Sequence, residues 1–179
     1  MNETPRTQTK VGMMYGLIFG VSLIGISLLF YVLSTDLQSK IPQVASYAAL
    51  LVSLIIGIKS YRDKDSGGYI SYGKSLGTGI LISFFGSIIA AFYTYIFFNF
   101  IDPSMVDKLI EMSQQQMIDK GMSDDQVEMA ISMTRKFMTP TWMFFFTILS
   151  YTFMGFIFSL LVSVFTKRNQ ENPFNSNVQ

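Results

Sequence analysis

The sequence predicts an all-α integral membrane protein with four transmembrane helices and an amphipathic helical hairpin between the third and the fourth. Three observations predict it. Only 14% of the 179 residues are charged, against roughly 25% in soluble proteins. The charges are also confined: no Asp, Glu, Lys or Arg occurs from Val11 to Thr35, from Ile41 to Ile58, from Ser75 to Ile101 or from Thr139 to Thr166. A hydrocarbon layer about 30 Å thick asks for roughly 20 helical residues, which is the scale of these runs. The third observation is the stretch from Asp102 to Met138, which mixes charged and apolar residues at helical period and is too polar to span.

The first span runs about Val11 to Leu33. Its apolar stretch is longer than the core of a secretory signal, about 7–15 residues, so an uncleaved first helix is expected. A polar turn, Ser34 to Lys40, leads to a second span over about Pro42 to Ile58, opened by a proline suited to the first helical turn. Lys40 and Lys59 flank it, where long side chains reach headgroups. The segment from Lys59 to Lys74 reads as a compact loop, turned by Asp65-Ser66-Gly67-Gly68. The third span covers about Ser75 to Phe100 and ends in an aromatic cluster suited to a membrane interface. The fourth runs about Pro140 to Phe165, with Thr139 as N-cap and Trp142 near its end. The polar tail, 169–179, is expected to be disordered.

Between the third and fourth spans, Asp102 and Pro103 read as the start of a helix over about 103–120, stopped by Gly121. Ser123 and Gln126 have capping-box spacing and open a second helix over about 124–138. Its residues Val127, Ala130, Ile131, Thr134, Phe137 and Met138 form one apolar stripe. The pair should lie on the bilayer surface or fold over the bundle.

Charge sets the orientation. With four spans, Arg6, Lys10, Lys59, Arg62, Lys64, Lys74, Lys167 and Arg168 share one side, while the hairpin side carries more acids than bases. The excess of Lys and Arg places both termini in the cytoplasm, as expected for a bacterial inner-membrane protein.

Several function classes lose ground on composition. A net charge of +1 offers no basic face for nucleic acid. The chain has no Cys and no His, which removes thiolate chemistry and the usual zinc and haem ligands. No ionisable acid or base lies at mid-membrane, where pumps and proton-coupled carriers keep one. Serines and threonines there lack a base to activate them, so no catalytic residue is assigned and no enzyme activity is expected. Met105, Met112, Met117, Met122, Met129, Met133 and Met138 carry soft thioethers suited to Cu(I). Spread around two helices without His or Cys, they read instead as adaptable apolar filling. The acids Asp119, Asp124, Asp125 and Glu128 lack a calcium-loop pattern. No cofactor or metal is assigned.

Small residues give the strongest signal inside the membrane. Gly12, Gly16 and Gly20 step by four along the first span. Ser75, Gly79, Ser83, Ser87 and Ala91 do so on the third, and Gly155, Ser159 and Ser163 on the fourth. Such ladders let helices approach closely where lipid removes the hydrophobic drive. They fit contacts within the bundle or with another copy equally well. A second candidate is the basic loop with Arg62, Lys64, Gly68, Tyr72, Gly73 and Lys74. Its glycines permit close approach and its charges could meet an anionic lipid headgroup beside the start of the third helix. The plain reading is that these charges fix topology and the glycines turn the chain.

Tyr61-Arg62, the run from Gly68 through Ile70-Ser71-Tyr72-Gly73-Lys74-Ser75-Leu76 to Gly77 and Gly79, Phe98-Asn99 with Asp102-Pro103, and the final helix with its Lys-Arg end resemble a bacterial membrane family, domain of unknown function 4199. The resemblance covers roughly residues 8 to 168. It implies a four-helix inner-membrane protein and carries no activity or catalytic residue.

Two functional readings follow. The favoured one is a non-enzymatic membrane module that assembles with itself or another membrane protein. The alternative is a small carrier or accessory for an amphipathic or lipid-linked substrate.

Overall fold

A computed structural model describes residues 5–33 and 39–168. Residues 34–38 of the expected polar turn, and the tail 169–179, lie outside the described residues. Six α-helices follow one another: α1 (Gln8–Val32), α2 (Ile41–Ser60), α3 (Tyr72–Ile96), α4 (Ser104–Asp119), α5 (Asp124–Phe137) and α6 (Pro140–Thr166). The helices α1, α2 with its extension, α3 with its extension, and α6 are long and apolar enough to cross a membrane. The described chain is therefore all-helical, with four helices of membrane-spanning length and composition.

The helix starts obey local chemistry. Thr7, Ser71 and Thr139 each accept a bond from a backbone N–H three residues on, into α1, α3 and α6, satisfying a donor that the helix leaves unpaired. Ser123 and Gln126 form the predicted capping box on α5. Gly121 takes φ 77° after α4, a conformation that costs glycine nothing.

Three boundaries differ from expectation. The second span does not end at Ile58: it continues to Ser60 and then through a π-helical turn, Tyr61–Asp65. The charged run that signals a loop lies in helix, because helical backbone pairs its own polar groups as it leaves the bilayer. The third span begins at Tyr72, so Tyr72, Gly73 and Lys74 form the first turn of α3 rather than a loop. It ends in a second π-helical turn, Phe97–Ile101, closed by the Asp102 N–H on the Phe97 carbonyl at 2.9 Å. Finally, α4 starts at Ser104, with Pro103 rather than Asp102 at its cap. The Asp102 carboxylate is engaged elsewhere, by Ser104, Tyr31 and Lys108.

The span α3 is the most heavily packed, lying between α1 and α6. α2 completes the bundle through buried Leu50, Leu54 and Ile58, which join Phe19, Ile82 and Val162 in the core. Outward-facing Leu17, Phe145, Phe153 and Phe165 are exposed, as lipid-facing side chains should be.

Candidate functional sites: the helix ladders and the basic end

The helix ladders close on one another inside the chain. On α1, a Cβ at Gly12 would sit 2.6 Å from the Leu81 Cβ, at Gly16 2.7 Å from that of Phe85, and at Gly20 2.7 Å from that of Ile89. Each four-residue step on α1 thus meets a four-residue step on α3, and the two helices run parallel. The opposite face of α3 meets α6 in the antiparallel sense: Gly79 lies against Ser159, and Gly155 against Ser83. Hydroxyl pairs bracket these contacts, Ser75 with Thr166 at 2.8 Å and Ser87 with Thr152 at 3.2 Å. Interhelical bonds of this kind contribute about 0.6 kcal/mol each in a membrane, so close packing carries most of the association.

Two glycines of this packing do not belong to any ladder read from the sequence. A Cβ at Gly86 would lie 2.9 Å from the Gly16 carbonyl oxygen, and one at Gly57 would strike Tyr15 and Ile82. Gly86 lies three residues beyond Ser83, on the face of α3 turned to α1. Its signal would have been a second small-residue face on the same helix.

The basic end is more internally tied than the sequence implies. Arg6 donates to the Asp65 carboxylate from its backbone N at 2.8 Å, from Nε at 3.2 Å and from Nη2 at 3.0 Å. The Asp65 side chain is only 4% exposed. Arg62 forms a fork onto Asp63, at 2.7 and 3.1 Å, and its Nη1 donates to the Thr166 carbonyl at 3.3 Å. That carbonyl belongs to the last turn of α6, where no helical partner remains. Gly67 and Gly68 take φ of 63° and 84°, so the expected turn is built. The segment leaving it forms an isolated antiparallel bridge, Ile70 with Arg168, at 3.0 Å in both directions. The Arg168 guanidinium also sits 5.6 Å from the Tyr69 ring centroid, within cation–π range.

The candidate residues of this end therefore separate. Arg62 and Gly68 are structural. Tyr72 reaches the Leu160 carbonyl only at 3.5 Å, and Gly73 has open space around it. Among the described residues, the ammonium groups of Lys64 and Lys74 make no ion pair, and both side chains are exposed. The start of α3 is capped by Ser71, and Gln8 binds the Lys74 carbonyl at 2.8 Å. The end is a clasp joining the start of α1, the α2–α3 connection and the end of α6, from which the side chains of Lys64 and Lys74 project.

At the other end, α4 and α5 pack mainly on each other, with Ile110 and Val127 buried between them. Arg135 approaches Asp107 at 3.6 Å. Ile118, Met129, Met133 and Phe137 stay exposed. Phe137 meets Trp142 at the start of α6, with ring centroids 5.8 Å apart. Among the described residues no group of three acids gathers as a metal site.

A family model described as "Protein of unknown function (DUF4199)" matches residues 14–168. The chain belongs to this family. No curated protein and no solved structure matches it. The match begins within α1, takes in the other three spans and ends at Arg168, the residue bridged to Ile70 in the clasp.

Proposed function

We propose that this DUF4199 protein is a multi-pass module of the bacterial inner membrane, with both termini in the cytoplasm, that acts without catalysis. Its task is to assemble with itself or with another membrane protein through an amphipathic hairpin formed by α4 and α5 on the outer surface. One contrast carries the reading. The small-residue ladders of α1, α3 and α6 are consumed inside the bundle, whereas the hairpin keeps Ile118, Met129, Met133 and Phe137 uncovered. Methionine-rich surfaces adapt to a partner without a fixed shape. The absence of His and Cys from the sequence, and of acids or bases at mid-membrane, supports a role other than catalysis.

The excess of Lys and Arg at the clasp end supports the cytoplasmic placement. Lys64 and Lys74 would touch anionic lipid there, but the tied Arg62 gives little support to a headgroup carrier at that end.

Photocrosslinking tests the assembly reading. A benzophenone amino acid at position 129 or 133 should give one discrete protein adduct in intact membranes, and at position 153, on the lipid face, none. Adducts to lipid alone at 129 and 133 would make the hairpin a surface anchor and remove assembly.

A further inference from the structure

The half of the bundle nearest the hairpin contains a partly open cavity of about 590 Å³, lined by residues of all four spans. The half nearest the clasp is filled by Phe19, Leu50, Leu54, Ile58 and Ile82, each fully buried. Ligand pockets commonly measure about 300–1,000 Å³, and this volume falls within that range.

The lining has a definite chemistry. It contains hydroxyls, one side-chain amide and hydrocarbon, and no charged side chain. The Tyr93 hydroxyl is buried and has no hydrogen-bond partner among the described residues, an arrangement that costs free energy unless something meets it. On the α2 part of the lining, Gln43 donates to the Tyr47 hydroxyl at 3.1 Å. That leaves the Tyr47 proton and the Gln43 carbonyl oxygen free to bond a guest. Leu23, Ile24 and Phe98 supply apolar wall. Ser27 on α1, Gln43 on α2, and Phe146 and Ser150 on α6 line the cavity and are exposed, so the cavity opens to the surface beside them. A phosphate or ammonium head would enter with no counter-charge, a heavy penalty away from water. A hydroxyl head would not.

We propose that this cavity binds an amphipathic molecule with an uncharged hydroxylated head and a hydrocarbon tail, of the class of diacylglycerols and polyprenols. The head lies among Tyr93, Tyr47 and Gln43, and the tail leaves through the opening beside Ser27 and Ser150. The proposal rests on the bundle alone and is independent of the hairpin.

The test uses the full chain in phosphatidylcholine nanodiscs with two photoprobes, a diazirine diacylglycerol and a diazirine polyprenol. At least one should label peptides around Tyr47 and Tyr93, in competition with its own unlabelled form and not with phosphatidylglycerol. The probe that labels identifies the source of the hydroxyl head. Tyr93→Phe keeps the ring against Phe97 and should weaken binding about fivefold, the worth of one net hydrogen bond. Ser27→Phe should block the mouth and abolish labelling, while Leu29→Phe, on exposed α1 surface outside the cavity, should leave it intact. Labelling scattered over lipid-facing residues, equal competition by phosphatidylglycerol, or no saturable labelling by either probe would overturn the proposal. The last outcome would mean a cavity holding water only.

Discussion

Gly155 of α6 lies so close to Ser83 of α3 that a methyl group at position 155 would overlap both the serine Cβ and its hydroxyl. Backbone and Cβ atoms cannot swing aside as the end of a long side chain can, so the helices themselves would have to part. Gly16 stands in the same position toward α3, hemmed by the Phe85 Cβ and the backbone of Ile82 and Gly86. Gly25, on the same helix as Gly16, has nothing within 4 Å. Gly155→Ala and Gly16→Ala should each cost about 1–3 kcal/mol, the usual range for overpacking. Gly25→Ala should be neutral or slightly stabilising, since alanine is the better helix former. Thermal unfolding in detergent reads the difference. Equal midpoints for all three variants would mean that close approach does not hold the bundle together.

A second prediction concerns the clasp. The Asp65 carboxylate is nearly buried and accepts from both the backbone and the guanidinium of Arg6. Removing one member of such a pair strands the charge of the other, and fully buried pairs lose about 3–5 kcal/mol this way. Arg6 is a quarter exposed, which moderates the loss, so Asp65→Asn should cost about 1–3 kcal/mol. It should also free the start of the chain, raising the rate of tryptic cleavage after Arg6. An unchanged cleavage rate would show that the ion pair does not hold the N-terminus.

How much of this was legible beforehand depends on the kind of signal. The four spans were, because uninterrupted charge-free runs have no other economical explanation in a chain this size. The Gly12–Gly16–Gly20 and Gly79–Ser83–Ser87 ladders were visible as patterns, and their partners were not. Pairing Gly16 with Phe85 requires the relative register of α1 and α3, which is a tertiary fact. Gly86 and Gly57 escaped for the same reason. The extent of α2 past Ile58 was obscured by Arg62, Asp63, Lys64 and Asp65, whose charges mark the end of the hydrocarbon layer rather than the end of the helix. The cavity beside Tyr93 had no sequence signature at all. It depends on how the start of α2 stands relative to α1 and α6, and tyrosines near the end of a span read equally well as interfacial belt.

Asp102 makes acidity a structural variable at the hairpin end. The Ser104 hydroxyl, followed by Lys108 and Tyr31, holds its carboxyl below the usual carboxylate range against a smaller opposing effect of burial. A carboxyl depressed in the folded state adds stability that is complete above its unfolded value, about 4, and is lost as pH falls through the folded value. The junction joining the end of α1 to the start of α4 should therefore loosen as pH falls below the ordinary carboxylate range. Asp102→Asn should lower stability at neutral pH and flatten that acid dependence. A variant that keeps the wild-type acid profile would place the titration on another group.

The orientation is testable in a chain without native thiols. A single cysteine at position 64 should label only from the cytoplasmic side, and one at 114 or 125 only from the opposite side. Labelling of positions 64 and 114 from the same face would contradict the four-span topology.

The charges of the clasp end divide into two kinds, and variants should separate them. Arg62 is bound to Asp63 and to the Thr166 carbonyl, so Arg62→Gln should lower the melting temperature by loosening the end of α6 from the α2–α3 connection. Among the described residues Lys64 and Lys74 make no ion pair, so Lys64→Gln and Lys74→Gln should change melting far less. What the lysines should affect is the membrane around the protein, since a basic side chain at an anionic surface contributes roughly 1 kcal/mol. That corresponds to about a fivefold loss of retained phosphatidylglycerol per lysine removed, read by lipid analysis of the purified protein and steepest at low salt. The double variant should lose both contributions and still insert correctly, because Lys10, Lys59, Lys167 and Arg168 remain on the same side. Unchanged lipid retention in the double variant, with melting and topology also unchanged, would leave those lysines a topological role and nothing more.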